Sequence, residues 1–159
     1  APDCIHFTSD GERRLGEYFA KAYARTVLEG ARWEPLRPLR ATRSGDAITV
    51  AFVVPSPPLV LDTSRVIDPG AYGFEVVAGG APLPITNVAI TGPDEVTLAV
   101  PGAASAGALR VRYAATASPR TCPGPQTGPR GNLRDSDLTP SNHGYDLHNW
   151  AVHFDVPAG

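Results

Sequence analysis

Ala47-Ile48-Thr49-Val50-Ala51-Phe52-Val53-Val54, closed by Pro55, is the stretch on which the fold turns. It is short, β-branched and aromatic, so it fits a pleated, half-buried surface better than a helix. Runs of the same kind recur at residues 59–61, 73–77, 85–90, 95–100, 108–113 and 150–156. Asp68-Pro69-Gly70, Gly92-Pro93-Asp94 and Pro101-Gly102 punctuate them as turns. About seven short strands with regular turn signals predict an antiparallel, jelly-roll-like β-sandwich of roughly 110 residues. Residues 117–131, crowded with Pro, Gly, Ser and Thr, read as loop.

Upstream the period changes from two to 3.6. Leu15, Tyr18, Phe19, Ala22 and Val27 recur at helical spacing, with Arg13, Arg14, Glu17, Lys21 and Arg25 on other faces. Thr8 or Ser9 can cap this helix, Ser9-x-x-Glu12 is a capping-box pattern, and Gly30 is a plausible stop. Trp33-Glu34-Pro35-Leu36-Arg37-Pro38 cannot continue it, because proline lacks the amide hydrogen and restricts the residue before it. The expected fold class is therefore mostly β, one amphipathic helix preceding a sandwich. Residues 1–30 form the helical segment, 31–42 a linker and 43–159 the β module.

The chain has 159 residues, 14 basic (13 Arg and Lys21) against 16 acidic, and a formal net charge of −2. That balance gives no global attraction to nucleic acid or to an anionic membrane. No apolar run approaches the roughly 20 residues of a membrane helix. Cys4 and Cys122 fit no metal spacing; a bridge between them is open, but two free thiols is the simpler expectation. There is no methionine, so Ala1 reads as an internal residue of a longer protein or the product of a cut.

Asp3-x-x-His6 stands just before the helix. A serine hydroxyl needs a neutral imidazole to take its proton, and the imidazole needs an acceptor to fix its tautomer. A single turn with this spacing supplies both. The longer pattern Asp3-x-Ile5-His6-Phe7-Thr8-x-x-Gly11-x-x-x-Leu15-Gly16-x-x-x-Ala20 resembles the final block of SGNH (GDSL-type) hydrolases. That resemblance implies His6 as general base, Asp3 as its orienting acid and a flavodoxin-like catalytic domain. It also implies a nucleophilic Ser in a Gly-Asp-Ser block and oxyanion donors from Gly and Asn blocks. Gly45-Asp46 is followed by Ala47, and no such blocks occur in the chain. The implied enzyme is a serine esterase only together with a Ser-bearing SGNH segment; the isolated chain is expected to be inactive.

Arg130-Gly131-Asn132-Leu133-Arg134-Asp135-Ser136-Asp137 and Leu147-His148-Asn149-Trp150-Ala151-Val152-His153-Phe154 form the second informative region. A polar loop leading into an aromatic final strand resembles the sandwich that trails SGNH domains in phage and bacterial surface proteins. The resemblance implies an extracellular, cell-surface or virion-associated setting and cell-surface polysaccharide, carrying O-acyl or O-acetyl esters, as partner. Asn132, Asp135, Asp137, Asn142, Tyr145, Asn149 and Trp150 supply stacking faces and planar hydrogen-bonding groups suited to sugars. Against this, Trp150 and Phe154 read more simply as core residues of the last strand.

No cofactor and no metal is expected. Asp135-Ser136-Asp137 lacks the continuation of a calcium loop. An alternating strand would put His148 and His153 on opposite faces, which argues against zinc. Arg110 and Arg112 beside Tyr113 read as a solvated strand face, with a small anion patch as the alternative. Two functions follow: the carboxy-terminal part of an SGNH carbohydrate esterase, or a non-catalytic carbohydrate-binding or surface structural module. An unrelated β-sandwich with a chance D-x-x-H pair is a third. An oligomer is possible under any of them.

Overall fold

The structure, a computed structural model, describes residues 4–116 and 122–159. It is mostly β, with one helix and a curled, antiparallel-rich sheet that makes a sandwich-like fold. Helix α1 spans Ser9–Tyr23 and runs into a π-helical turn, Ala24–Leu28. The strands are β1 (Arg37–Ser44), β2 (Ala47–Val53), β3 (Val60–Leu61), β4 (Phe74–Ala78) and β5 (Ala81–Leu83). They continue with β6 (Asn87–Gly92), β7 (Glu95–Ala99), β8 (Leu109–Tyr113), β9 (Leu133–Arg134) and β10 (Phe154–Ala158).

Eight strands form one sheet in the order β5-β4-β8-β10-β1-β2-β7-β6, and β3 pairs with β9 in a small second sheet. Three of the seven pairings in the large sheet are hairpins, β1–β2, β4–β5 and β6–β7. Between β4 and β5 the turn is Gly79-Gly80, at φ +55° and +90°. Two consecutive positive φ angles match a type I′ turn, whose twist agrees with that of the flanking strands. Late-arriving β10 sits in the middle, antiparallel to β8 from Phe154↔Tyr113 to Ala158↔Leu109 and parallel to β1 at Ala41↔Ala158.

Alternation buries one face of these strands. Ile48, Val50, Phe52, Phe74, Val76, Val96, Leu98, Leu109, Val111 and Phe154 join a single core with Leu36 and Leu133. At its centre the Tyr113 and Phe154 rings stack at 5.4 Å, with Phe74 5.0 Å from Tyr113 and Phe52 6.0 Å from Phe154. Each such aromatic pair adds about 0.5–1.5 kcal/mol beyond area burial. The Tyr113 hydroxyl accepts a 2.8 Å bond from the Leu133 amide, tying the sheet to β9. Burial pushes that hydroxyl well above the usual tyrosine range.

Several expectations need correction. From Arg37 the stretch 31–42 is not linker but the first six of the eight residues of β1, a strand paired with β2 on one side and β10 on the other. Its Pro38 is tolerated because the β1–β2 register shifts between Pro38 and Arg40. The last strand begins at Phe154 rather than Trp150, which makes only an isolated bridge with Arg134. Phe154 is in the core; Trp150 is only half-buried. Cys4 and Cys122 form a disulfide, with Cα atoms 4.7 Å apart, instead of two free thiols. The expected 117–131 loop is described only from Cys122 onward, where it has no helix or strand.

Candidate functional site

The helix docks on the β module by its polar side. Thr8 caps it, its hydroxyl accepting from the Gly11 amide at 3.2 Å, and Gly30 at φ +63° ends it. The one buried residue of α1 is Lys21; of the apolar residues at helical spacing, Leu15, Phe19 and Val27 are exposed and Tyr18 and Ala22 half-buried. Phe19 is 67 % exposed, and Tyr23 is also exposed. At 100° per residue, Leu15, Phe19 and Tyr23 lie opposite Glu17 and Lys21. The surface that receives the helix is the reason. It is the polar segment 135–149, whose carbonyls and carboxylates only a polar helix face can satisfy.

Lys21 shows how complete that match is. Its ammonium donates to the Asp137 carboxylate at 3.1 Å, to Asn149 Oδ1 at 2.7 Å and to the Leu147 carbonyl. Glu17 accepts from the Ser141 hydroxyl at 2.6 Å, the Asn142 amide at 2.9 Å and the Tyr145 hydroxyl. The Ser141 and Tyr145 bonds hold the Glu17 carboxyl below its ordinary range. Tyr18 donates to the His148 carbonyl at 2.7 Å, and burial raises its hydroxyl. The Arg14 guanidinium lies over the Tyr145 ring, 4.8 Å from its centre.

Several residues expected to meet sugar are occupied internally. Asp135 accepts from the Ser56, Asp137 and Asn149 amides and from the Asn149 side chain, at 2.7–3.1 Å. Asp137 accepts from the Thr139 amide and hydroxyl through one oxygen, and from Lys21 and Asn149 through the other. Burial would raise this carboxyl, but Thr139 and Lys21 outweigh it and hold it at about 2. With every carboxylate oxygen taken by a donor, Asp135-Ser136-Asp137 has no open ligand for calcium. No cluster of three or more metal-ligating side chains occurs among the described residues. Asn132 is fully buried and donates to the Asp62 and Val66 carbonyls, its Oδ1 having no hydrogen-bond partner among the described residues. Asn142 is exposed.

His148 is buried against the Asp137 carbonyl at 2.6 Å, while His153 is exposed. A carbonyl only accepts, so the proton of that bond is on His148 Nδ1. Arg110 and Arg112 both bind Asp155, at 2.6 and 3.1 Å, so this strand face carries its own counter-charge. The two guanidiniums, Arg110 first, hold the Asp155 carboxyl below its ordinary range.

Trp150 does meet open space. It lines a cleft of about 550 Å³ between the helix, the segment before β1 and the loop 122–131; Asn149 borders the cleft, but its buried amide is bonded to Lys21, Asp135 and Asp137. Trp33, Tyr18 and Tyr113 bring further aromatic surface to the cleft, and Arg14, Arg65 and Arg130 bring charge. Both tryptophans of the chain are therefore at one site. Gly131 lets the wall close on the core, since a Cβ there would stand 2.2 Å from the Tyr113 ring. The disulfide anchors the start of the 122–131 wall to Cys4. From the sequence, Trp33 reads as linker and Tyr18 as part of an apolar helix face. The available signal was a tryptophan between a helix stop and two prolines, a setting that leaves a large aromatic on the surface.

Asp3 lies outside the described residues, and His6 is exposed on the segment between Cys4 and the helix. No protein-family model matches the chain, and no curated protein matches it. A search of solved structures finds the N-terminal part of the bacterial S-layer protein SbsC at 11% identity and a TM-score of 0.46. The match covers 98% of this chain and 29% of that one.

Proposed function

We propose that this chain is a non-catalytic carbohydrate-contacting module of a cell-surface or virion protein. The observation that supports it is the cleft holding Trp33 and Trp150 with the guanidinium groups of Arg14, Arg65 and Arg130. Aromatic faces stack on the apolar faces of sugar rings, and neighbouring planar polar groups bond the hydroxyls. A disulfide between Cys4 and Cys122 fits an oxidising, extracytoplasmic compartment. Because the chain's two tryptophans both line the cleft, intrinsic fluorescence reports occupancy directly. Titration with surface polysaccharides should change the emission, and Trp33→Phe and Trp150→Phe should each remove part of the change. Emission indifferent to every glycan that binds the protein would move the site elsewhere.

A second reading rests on the exposed stripe Leu15, Phe19, Tyr23 and Val27. In this reading residues 1–30 belong to an SGNH hydrolase domain whose Ser-bearing segment covers the stripe, residues 43–159 being its accessory module. Asp3 and His6 would then complete a Ser-His-Asp triad acting on O-acylated polysaccharide, by acyl transfer to Ser and then to water. His6→Ala in the assembled protein should abolish ester hydrolysis and leave the β module folded. Hydrolysis that survives the substitution removes this reading.

A further inference from the structure

The cleft has a charge that the rest of the chain lacks. The protein carries a formal net charge of −2, yet the charged residues lining the cleft are Arg14, Arg65 and Arg130, with no Asp or Glu among them. Arg65 is paired with Asp146 at 2.8 Å, which offsets part of its charge. The other two have no carboxylate partner among the described residues.

These two guanidiniums are also held in place. Arg130 donates through Nε to the Ile67 carbonyl at 2.7 Å and through Nη1 to the Gly128 carbonyl at 2.9 Å. Carbonyls fix its direction without cancelling its charge, and Nη2 remains to bind a ligand. Arg14 lies over the Tyr145 ring, a contact that orients the planar group and leaves its edge N–H donors for an acceptor. A preorganised guanidinium beside an aromatic wall recognises an anionic group on a ring.

We infer that the cleft takes an acidic polysaccharide, its ring stacked on tryptophan and its carboxylate or phosphodiester held by Arg14 and Arg130. This rests on the carbohydrate-contacting reading above and adds the charge of the ligand to it. The surrounding acidity of the chain opposes long-range attraction, so discrimination must arise within the cleft, inside a Debye length of about 8 Å at physiological salt.

The test is tryptophan fluorescence of the full chain titrated with oligogalacturonate, polysialate and the ring-bearing phosphodiester polymer polyribosylribitol phosphate, and with carboxyl-reduced oligogalacturonate as the neutral match. The expected result is binding of at least one acidic polymer. It should weaken with added salt and be tenfold or more tighter than any binding of the neutral oligomer. Response to the carboxylates or only to the phosphate polymer identifies the anionic group. Arg14→Gln, at a solvent-exposed position on the rim of the docked helix face, should lower the acidic affinity about tenfold and so narrow the preference over the neutral oligomer. Equal response to acidic and neutral oligomers, indifferent to Arg14→Gln, overturns the charge assignment and leaves the carbohydrate reading standing. No response to any of them overturns the acidic-ligand assignment, and the carbohydrate reading then rests on the titration with other surface polysaccharides.

Discussion

The Lys21 ammonium stands 3.1 Å from the Asp137 carboxylate across 116 residues of sequence, and their side chains are 5 % and 10 % exposed. A helix that docks by a buried ion pair is held by charges taken out of water, so the contact is sensitive to loss of either partner. Lys21→Met should destabilise the protein by about 3–5 kcal/mol, because Asp137 is then buried without its cation. Denaturant unfolding followed by far-ultraviolet circular dichroism measures it. A loss under about 1 kcal/mol would mean that water already reaches Asp137.

Stability should depend on acid. Asp62 resembles Asp137: burial would raise it, but Arg134, Ser64 and the Arg65 amide together hold it at about 2. An unfolded aspartate titrates near 3.9, so folding favours the ionised form of both groups. Their contribution is complete above roughly pH 5 and is lost as pH falls through the folded-state values near 2. Unfolding free energy should be flat from pH 7 to about 5 and fall between about pH 4 and 2. Asp62→Asn should flatten part of that fall, and an unchanged slope would remove Asp62 from the account.

Reducing the Cys4–Cys122 bond opens a loop spanning a sequence separation of 118. Loop-closure entropy assigns such a bridge about 4–5 kcal/mol at most. The Cys4→Ser, Cys122→Ser pair should lower the melting temperature by several degrees without changing the β spectrum. An unaltered melting temperature would show that the amino-terminal segment opens independently of the sandwich.

Gly131→Ala puts a Cβ into the Tyr113 ring. Tyr113 cannot move aside, since Phe154 stacks on it and Phe74 flanks it. The expected cost is about 1–3 kcal/mol, the range of an overpacked core. Wild-type stability in this variant would mean that the 130–131 wall shifts freely, and the cleft with it.

Phe19→Asp should leave the stability of the chain within about 0.5 kcal/mol, because the ring is 67 % exposed and touches no core. The same substitution should weaken association with any domain that covers the helix. A large loss of stability in the isolated chain would place Phe19 inside this fold instead.

Much of the fold was legible in period and punctuation. The β2, β4, β6, β7 and β8 strands follow runs of alternating or β-branched residues, and Thr8 and Gly30 mark the helix ends as their chemistry suggests. What stayed hidden was decided by partners distant in sequence. β1 carries Arg37, Arg40, Arg43 and Pro38 and has only Ala41 buried, so nothing local marks it as a strand near the middle of the sheet. The amphipathic pattern of α1 was real, but a pattern cannot say which face meets the body when the receiving surface is itself polar. The site was half legible for the same reason: Trp150 reaches the cleft, while Asp135, Asp137 and the Asn149 amide were drawn inward by Lys21, by backbone amides and by one another. Arg14, Arg130 and Trp33 come from three separate segments, and their meeting is a property of the fold alone.

The central position of β10 has a consequence for how the protein is made. Strands β5, β4 and β8 form one half of the sheet, and β1, β2, β7 and β6 the other; among the described residues, 154–158 are the only ladder between them. A nascent chain can assemble each half as it leaves the ribosome, but the halves cannot join until the final described strand emerges. Until then Phe52 and Phe74 lack the Phe154 ring that bridges them. A chain broken off before residue 154 thus keeps the strands of both halves but leaves an open seam, with the facing edges of β8 and β1 unpaired.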